Sequence, residues 1–245
     1  MTGPDPLAEA RARCRDNLAQ IRERIAAACG RAGRDPRSVT LVVATKSVGA
    51  TAVALLHETG CRDLAESRPQ ALWAKAAAAA DLEPPVRWHL IGHLQRNKIR
   101  RTLPHLALIH SLDSLRLLTA LDAEAAAVGK VQEALVEVNL GADPNRTGAD
   151  EAEAERIVTT AAGLRHVIVR GLMGMASVPD GDPNAARRDF ARLREFRDRL
   201  AGTVGGADRL RDLSMGMSGD YEEAILEGAT LVRLGSAVVA GLPDD

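Results

Sequence analysis

The sequence predicts a single (β/α)8 barrel of the TIM type preceded by one extra helix. Short apolar runs alternate with longer helix-patterned segments along the whole chain. Eight such runs can be counted, the number that closes this kind of barrel, and 245 residues is a usual size for it. The first run leads into Ala44-Thr45-Lys46-Ser47. An open doubly wound sheet would prefer a glycine-rich fingerprint there, and none is present.

The elements follow in order. A helix over about Leu7–Cys29 comes first, with Gly30, Gly33 and Pro36 as its stop signals. The strands are read at Val39–Thr45, Asp63–Glu66, Val86–Ile91, Leu106–Ser111, Val131–Asn139, His166–Met173, Leu210–Met215 and Thr230–Leu234. Helices are read at Ala50–Glu58, Arg68–Ala80, Ser114–Val128, Glu151–Ala162 and Ala185–Leu200, with shorter ones at Gln95–Leu103 and Tyr221–Gly228. Continuous apolar strands separated by helical crossovers imply parallel pairing with both faces covered. Residues 1–245 read as one domain, about 1–35 forming a helix packed on the barrel.

Composition narrows the function. A net charge of −1 and only five aromatic residues argue against a dedicated nucleic-acid binder. No apolar run is long enough to span a bilayer, and the first ten residues lack a secretory pattern. Cys14, Cys29 and Cys61 form neither a metal spacing nor a disulfide framework, so a reducing, cytoplasmic compartment is expected.

In such barrels the chemistry collects at the C-terminal ends of the strands. The first strand runs into Lys46, and strict alternation puts Val42, Ala44 and Lys46 on one face, toward the barrel mouth. A lysine desolvated there becomes an amine nucleophilic toward an aldehyde; a strand-end lysine turned to solvent is the ordinary alternative. The loops after strands seven and eight, Ser214–Asp220 and Gly235-Ser236, hold small residues ahead of helical turns. Together they suit an anion, although simple helix capping accounts for either alone. Arg233 shares a face with Leu231 and is directed as Lys46 is, toward either a phosphate or a heterocyclic nitrogen. Glu137 falls on the inner face, where a structural ion pair is expected. His89 and His93 have the spacing of a zinc pair but lack its helical context, and no metal is expected. The Gln95–Arg101 run reads as a solvated helix face, and Cys61 as a small buried hydrophobe.

These residues carry a family resemblance. The chain resembles the pyridoxal phosphate homeostasis proteins, relatives of the N-terminal barrel of alanine racemase, from about residue 10 onward. The resemblance lies in Leu41–Lys46, Trp88–Lys98, His110–Ser114, Val138-Asn139, Arg170–Ala176, Leu213–Ser218 and Val232–Ser236. It implies a fold-type-III barrel holding pyridoxal 5′-phosphate as a Schiff base on Lys46. It further implies that Ser214, Gly216, Gly235 and Ser236 hold the phosphate and that Arg233 lies at the pyridine nitrogen. Ser67, Asn139, Met173 and Met215 complete the expected cofactor set, with no catalytic residue assigned.

The activity so implied is that of a carrier in vitamin B6 and amino-acid balance with little catalysis. Apo-enzymes requiring the cofactor would be its recipients, and the protein would be a monomer or weak dimer that binds neither nucleic acid nor membrane. A racemase or a specialised biosynthetic enzyme is the alternative. Against the racemase, no second domain with an opposing tyrosine is expected to follow, and Tyr221 is the only tyrosine in the sequence. Two departures stand out. Ala65-Glu66-Ser67 replaces the usual Gly-Glu-Asn, and Arg146 stands where a lysine is common.

Overall fold

The computed structural model describes residues 5–141, 147–177, 184–206 and 209–244. Its eight strands are all parallel and close into a barrel in sequence order. They are β1 (Thr40–Ala44), β2 (Asp63–Glu66), β3 (Arg87–Leu90), β4 (Leu106–Leu112), β5 (Gln132–Val138), β6 (Val167–Gly174), β7 (Asp212–Ser214) and β8 (Leu231–Leu234). Closure is made by β8 against β1, with Val42 opposite Arg233 and Val43 opposite Leu234. All eight predicted strands are present.

The helices are α1 (Pro6–Arg31), α2 (Ala50–Glu58), α3 (Pro69–Ala78), α4 (Ile99–Thr102), α5 (Leu115–Ala127), α6 (Glu151–Ala161), α7 (Ala185–Thr203), α8 (Tyr221–Leu226) and α9 (Ser236–Val239). Polar side chains close several helix starts. Asp5 accepts from Leu7 N at 3.1 Å, Ser114 from Leu117 N at 3.3 Å and Asp150 from Glu153 N at 2.7 Å. The segment expected as one helix over Gln95–Leu103 is instead a 3-10 turn, the single turn α4 and a second 3-10 turn at Leu103–His105. Pro104 accounts for the end of α4 after Thr102, since it has no N–H to continue an α-helical ladder.

Pleating sorts the strand residues into two cores. Outward-facing side chains such as Val43, Leu64, Leu90 and Leu234 pack beneath the helices. Inward-facing Val42, Ala65, Leu108, Leu135, Met173 and Leu231 fill the barrel. The extra helix α1 lies against α8 and α9. Its apolar face buries Leu18, Ile21 and Ile25, and Arg24 and Arg31 both pair with Glu222 at 2.7 Å.

Candidate functional site

Strand β1 ends at Ala44, and Thr45–Val48 form a turn closed by Val48 N donating to Thr45 O at 3.1 Å. Lys46 therefore leaves the pleat and stands exposed at the C-terminal mouth. The alternation used to aim it inward stops two residues earlier. Beneath the turn, Thr45 is fully buried and its hydroxyl donates to Glu66 Oε1 at 2.7 Å. Lys75 of α3 donates to the same carboxylate oxygen at 2.5 Å and to Thr45 O at 2.6 Å. The backbone that presents Lys46 is thus fastened to β2 and α3.

Next to Lys46, the end of β8 presents Gly235 and Ser236. A side chain on Gly235 would meet Ala44 O at 3.5 Å, so the two strand ends run close together. Across the loop after β7, Ser218 Oγ lies 3.3 Å from Ser236 Oγ. Gly216 holds φ at 90°, and a Cβ there would lie 2.7 Å from Ala224 Cβ and 2.8 Å from Tyr221 Cα. Only glycine suits that turn. The two loops form a patch of hydroxyls and side-chain-free backbone beside Lys46, which has the chemistry of an oxyanion site.

Arg233 sits deeper and is 5% exposed. Nη1 donates to Ser214 Oγ at 2.6 Å and Nη2 to Gly174 O at 3.0 Å. Burial lowers its pKa to about 10, against the opposing influence of the Asp220 and Glu137 carboxylates. Those carboxyls are themselves pushed up by burial. Glu137 makes no ion pair among the described residues. Its Oε1 accepts from Thr147 Oγ1 at 2.5 Å, a hydroxyl partner in place of the expected cation.

The other expected residues divide. Met173 closes the barrel beneath the mouth with Val42, Ala65 and Leu135. Asn139 follows β5 at the rim, and its Oδ1 accepts from Gly141 N at 3.0 Å. Ser67 follows β2. A Cβ on neighbouring Gly92 would fall 2.3 Å from its carbonyl oxygen, so glycine is required for that approach. Two side chains lie apart from the Ser218–Ser236 patch. Met215 alternates outward from Ser214 and is fully buried in the helix-facing core. The Ser214 hydroxyl lies inside the barrel between His110 and Arg233, away from the Ser218–Ser236 patch. Arg146 lies outside the described residues.

His89 and His93 are separated by the fold. His89 is buried on the barrel axis, whereas the His93 side chain is 59% exposed beside Asp113 at 3.4 Å. Gln95, Arg96 and Asn97 are exposed; Arg100 pairs with Glu124 at 2.7 Å, and Arg101 lies 4.1 Å over the Trp73 ring. Cys61 is buried in the outer core.

Sequence reasoning missed Lys75, Thr147, Ser218 and the pairing of His89 with His110. Ser218 had a signal in its small-residue loop. The histidines have one in their strand positions, His89 within Val86–Ile91 and His110 within Leu106–Ser111.

Fold and mouth together define a closed (β/α)8 barrel with a polar, loop-built C-terminal end. The family model described as "Alanine racemase, N-terminal domain" matches residues 17–243. The pyridoxal phosphate homeostasis protein of Aquifex aeolicus is 36% identical over 221 residues, 90% of this chain and 95% of that one. Its Escherichia coli K12 counterpart is 33% identical over 91% of this chain and 94% of its own length. Among solved structures, PipY of Synechococcus elongatus with pyridoxal phosphate bound superposes with a TM-score of 0.80 at 33% identity, covering 93% of this chain and all of that one. An alanine racemase of Clostridium difficile shares the fold with a TM-score of 0.73 at 14% identity, over 93% of this chain and 56% of its own. The chain belongs to the pyridoxal phosphate homeostasis protein family. Among the described residues, no helix is long and apolar enough to cross a membrane.

Proposed function

We propose that this protein binds pyridoxal 5′-phosphate as a Schiff base on Lys46 and works in cytoplasmic vitamin B6 homeostasis and amino-acid balance, with little catalysis of its own. The observation that carries the reading is the pairing of β1 with β8. It brings an exposed amine beyond one strand beside bare backbone and hydroxyls beyond the other, with a buried guanidinium beneath. The residues fit the group's three ends. Lys46 meets the aldehyde, and the Gly216, Ser218, Gly235 and Ser236 loops meet the phosphate. Arg233 meets the pyridine nitrogen, and Met173 underlies the ring. Ser67 and Asn139 lie at the rim.

When bound, the cofactor supplies an electron-withdrawing ring conjugated to the lysine nitrogen. Arg233, as a donor-only group, keeps the ring nitrogen unprotonated and weakens that withdrawal. Tyr221, the chain's only tyrosine, is buried against α1 with Arg24 lying 5.4 Å over its ring. It cannot act as a base opposite Lys46. Both features favour holding over turnover. Recipients are apo-enzymes that need the same cofactor, served by a monomer or weak dimer.

Incubation with pyridoxal 5′-phosphate is expected to give a visible absorbance that Lys46→Ala lacks. The loaded protein is expected to leave amino-acid α-hydrogens unexchanged in deuterated water. Rapid exchange dependent on Lys46 would overturn the carrier reading.

A further inference from the structure

A line of hydrogen bonds runs down the barrel axis from the mouth to the opposite end. Arg233 Nη1 reaches Ser214 Oγ at 2.6 Å, and Ser214 Oγ lies 2.8 Å from His110 Nδ1. His110 Nε2 is 2.9 Å from His89 Nδ1, and His89 Nε2 is 2.9 Å from Asp63 Oδ1. The three middle residues are each no more than 1% exposed, and they come from β7, β4 and β3. Asp63 lies at the N-terminal ends of the strands, beside Arg87 at 3.3 Å. It lines a cavity of about 250 Å³ with Thr40, Arg87, His89, Glu133 and Asp212.

For neutral rings, the chemistry of the two ends fixes the direction of the line. A guanidinium only donates and a carboxylate only accepts. Ser214 Oγ must therefore accept from Arg233, and its single hydrogen goes to His110 Nδ1. His110 then carries its proton on Nε2 and donates to His89 Nδ1. His89 likewise carries its proton on Nε2 and donates to Asp63. In this arrangement four hydrogens fill four bonds with none left over. Burial, the neighbouring His89 and Arg233 push the His110 pKa well below its ordinary value, in keeping with a neutral ring.

We propose that Ser214, His110, His89 and Asp63 are positioning residues for Arg233, a one-way relay that holds the guanidinium toward the pyridine end of the cofactor and anchors it to a carboxylate at the far mouth. The proposal rests on the reading of Arg233 as the cofactor-facing arginine. The relay also leaves Ser214 without a hydrogen to donate into the mouth. The anion patch is therefore left to Ser218, Ser236 and backbone N–H groups.

Nitrogen-15 spectra of the full-length protein, with and without added pyridoxal 5′-phosphate, test the relay apart from the cofactor. The expected result is that both rings are Nε2–H tautomers at pH 7 and that His110 stays neutral down to pH 5. Either ring as an Nδ1–H tautomer, or His110 as an imidazolium at pH 6, overturns the relay. Cofactor retention and visible spectrum then test the positioning role. His110→Leu is expected to weaken retention about tenfold and to move the pH at which the spectrum changes. His110→Gln, which keeps one donor and one acceptor, is expected to recover most of both. An unchanged spectrum and retention in His110→Leu overturn the positioning role. Wild-type protein that fails to bind the cofactor overturns the reading of Arg233 and the role built on it, while the tautomers still report whether the line exists.

Discussion

Lys75 Nζ donates to the carbonyl of Thr45 at 2.6 Å, so an ammonium on α3 holds the backbone one residue before Lys46. The same ammonium neutralises Glu66, which is 1% exposed. Lys75→Met would leave that carboxylate without its cation. A cost of about 3–5 kcal/mol is expected for breaking such a pair, together with weaker cofactor retention. The double variant Lys75→Met with Glu66→Leu is expected to recover stability, because the unpaired charge is gone. Denaturant melts separate the two outcomes, and equal destabilisation by both variants would contradict the account.

Arg233→Gln removes the donor-only group at the base of the mouth. Its Ser214 and Gly174 partners lose a charged donor inside the barrel. Retention of pyridoxal 5′-phosphate through gel filtration is expected to fall about tenfold or more. Unchanged retention would remove the role given to this arginine.

Glu137 carries a pH signature. Burial raises its folded-state pKa, with Asp113 adding to the effect and Thr147, Arg233 and His93 opposing it. A carboxyl with a raised folded-state pKa lends stability below its unfolded value of about 4.3, and that stability is lost as pH rises through the folded value. Glu137→Gln keeps the acceptor for Thr147 without the charge. Its melting temperature is expected to exceed the wild type by about 2–4 °C at pH 8 and to match it near pH 4. A deficit of equal size at both pH values would show that the carboxylate is needed for packing alone.

Gly216→Ala forces a side chain into a left-handed turn already closed by Ala224 and Tyr221. A loss of about 2 kcal/mol is expected, with weakened retention because the loop carries the proposed anion patch. Stability and retention both within error of wild type would mean that the loop adapts.

The barrel was legible because each strand is a short apolar run bounded by a helix-patterned crossover, and Asp63–Glu66 was read to the residue. Strand ends were less legible. Periodicity carried Lys46 inward by alternation, but the chain leaves the sheet at Ala44, and a turn has no parity. Met215 is expected at the cofactor, and the alternation that puts Ser214 inside turns the Met215 side chain to the helix-facing core. The pairing of His110 with Ser214 joins residues 104 positions apart. It depends on barrel closure and stagger, which no local pattern encodes.

The central claim is that Lys46 is the cofactor lysine. Protein loaded with pyridoxal 5′-phosphate, reduced with borohydride and digested, is expected to carry the cofactor mass on the peptide containing Lys46 and on no other lysine peptide. A stoichiometric label on another lysine, or none on Lys46, would contradict it.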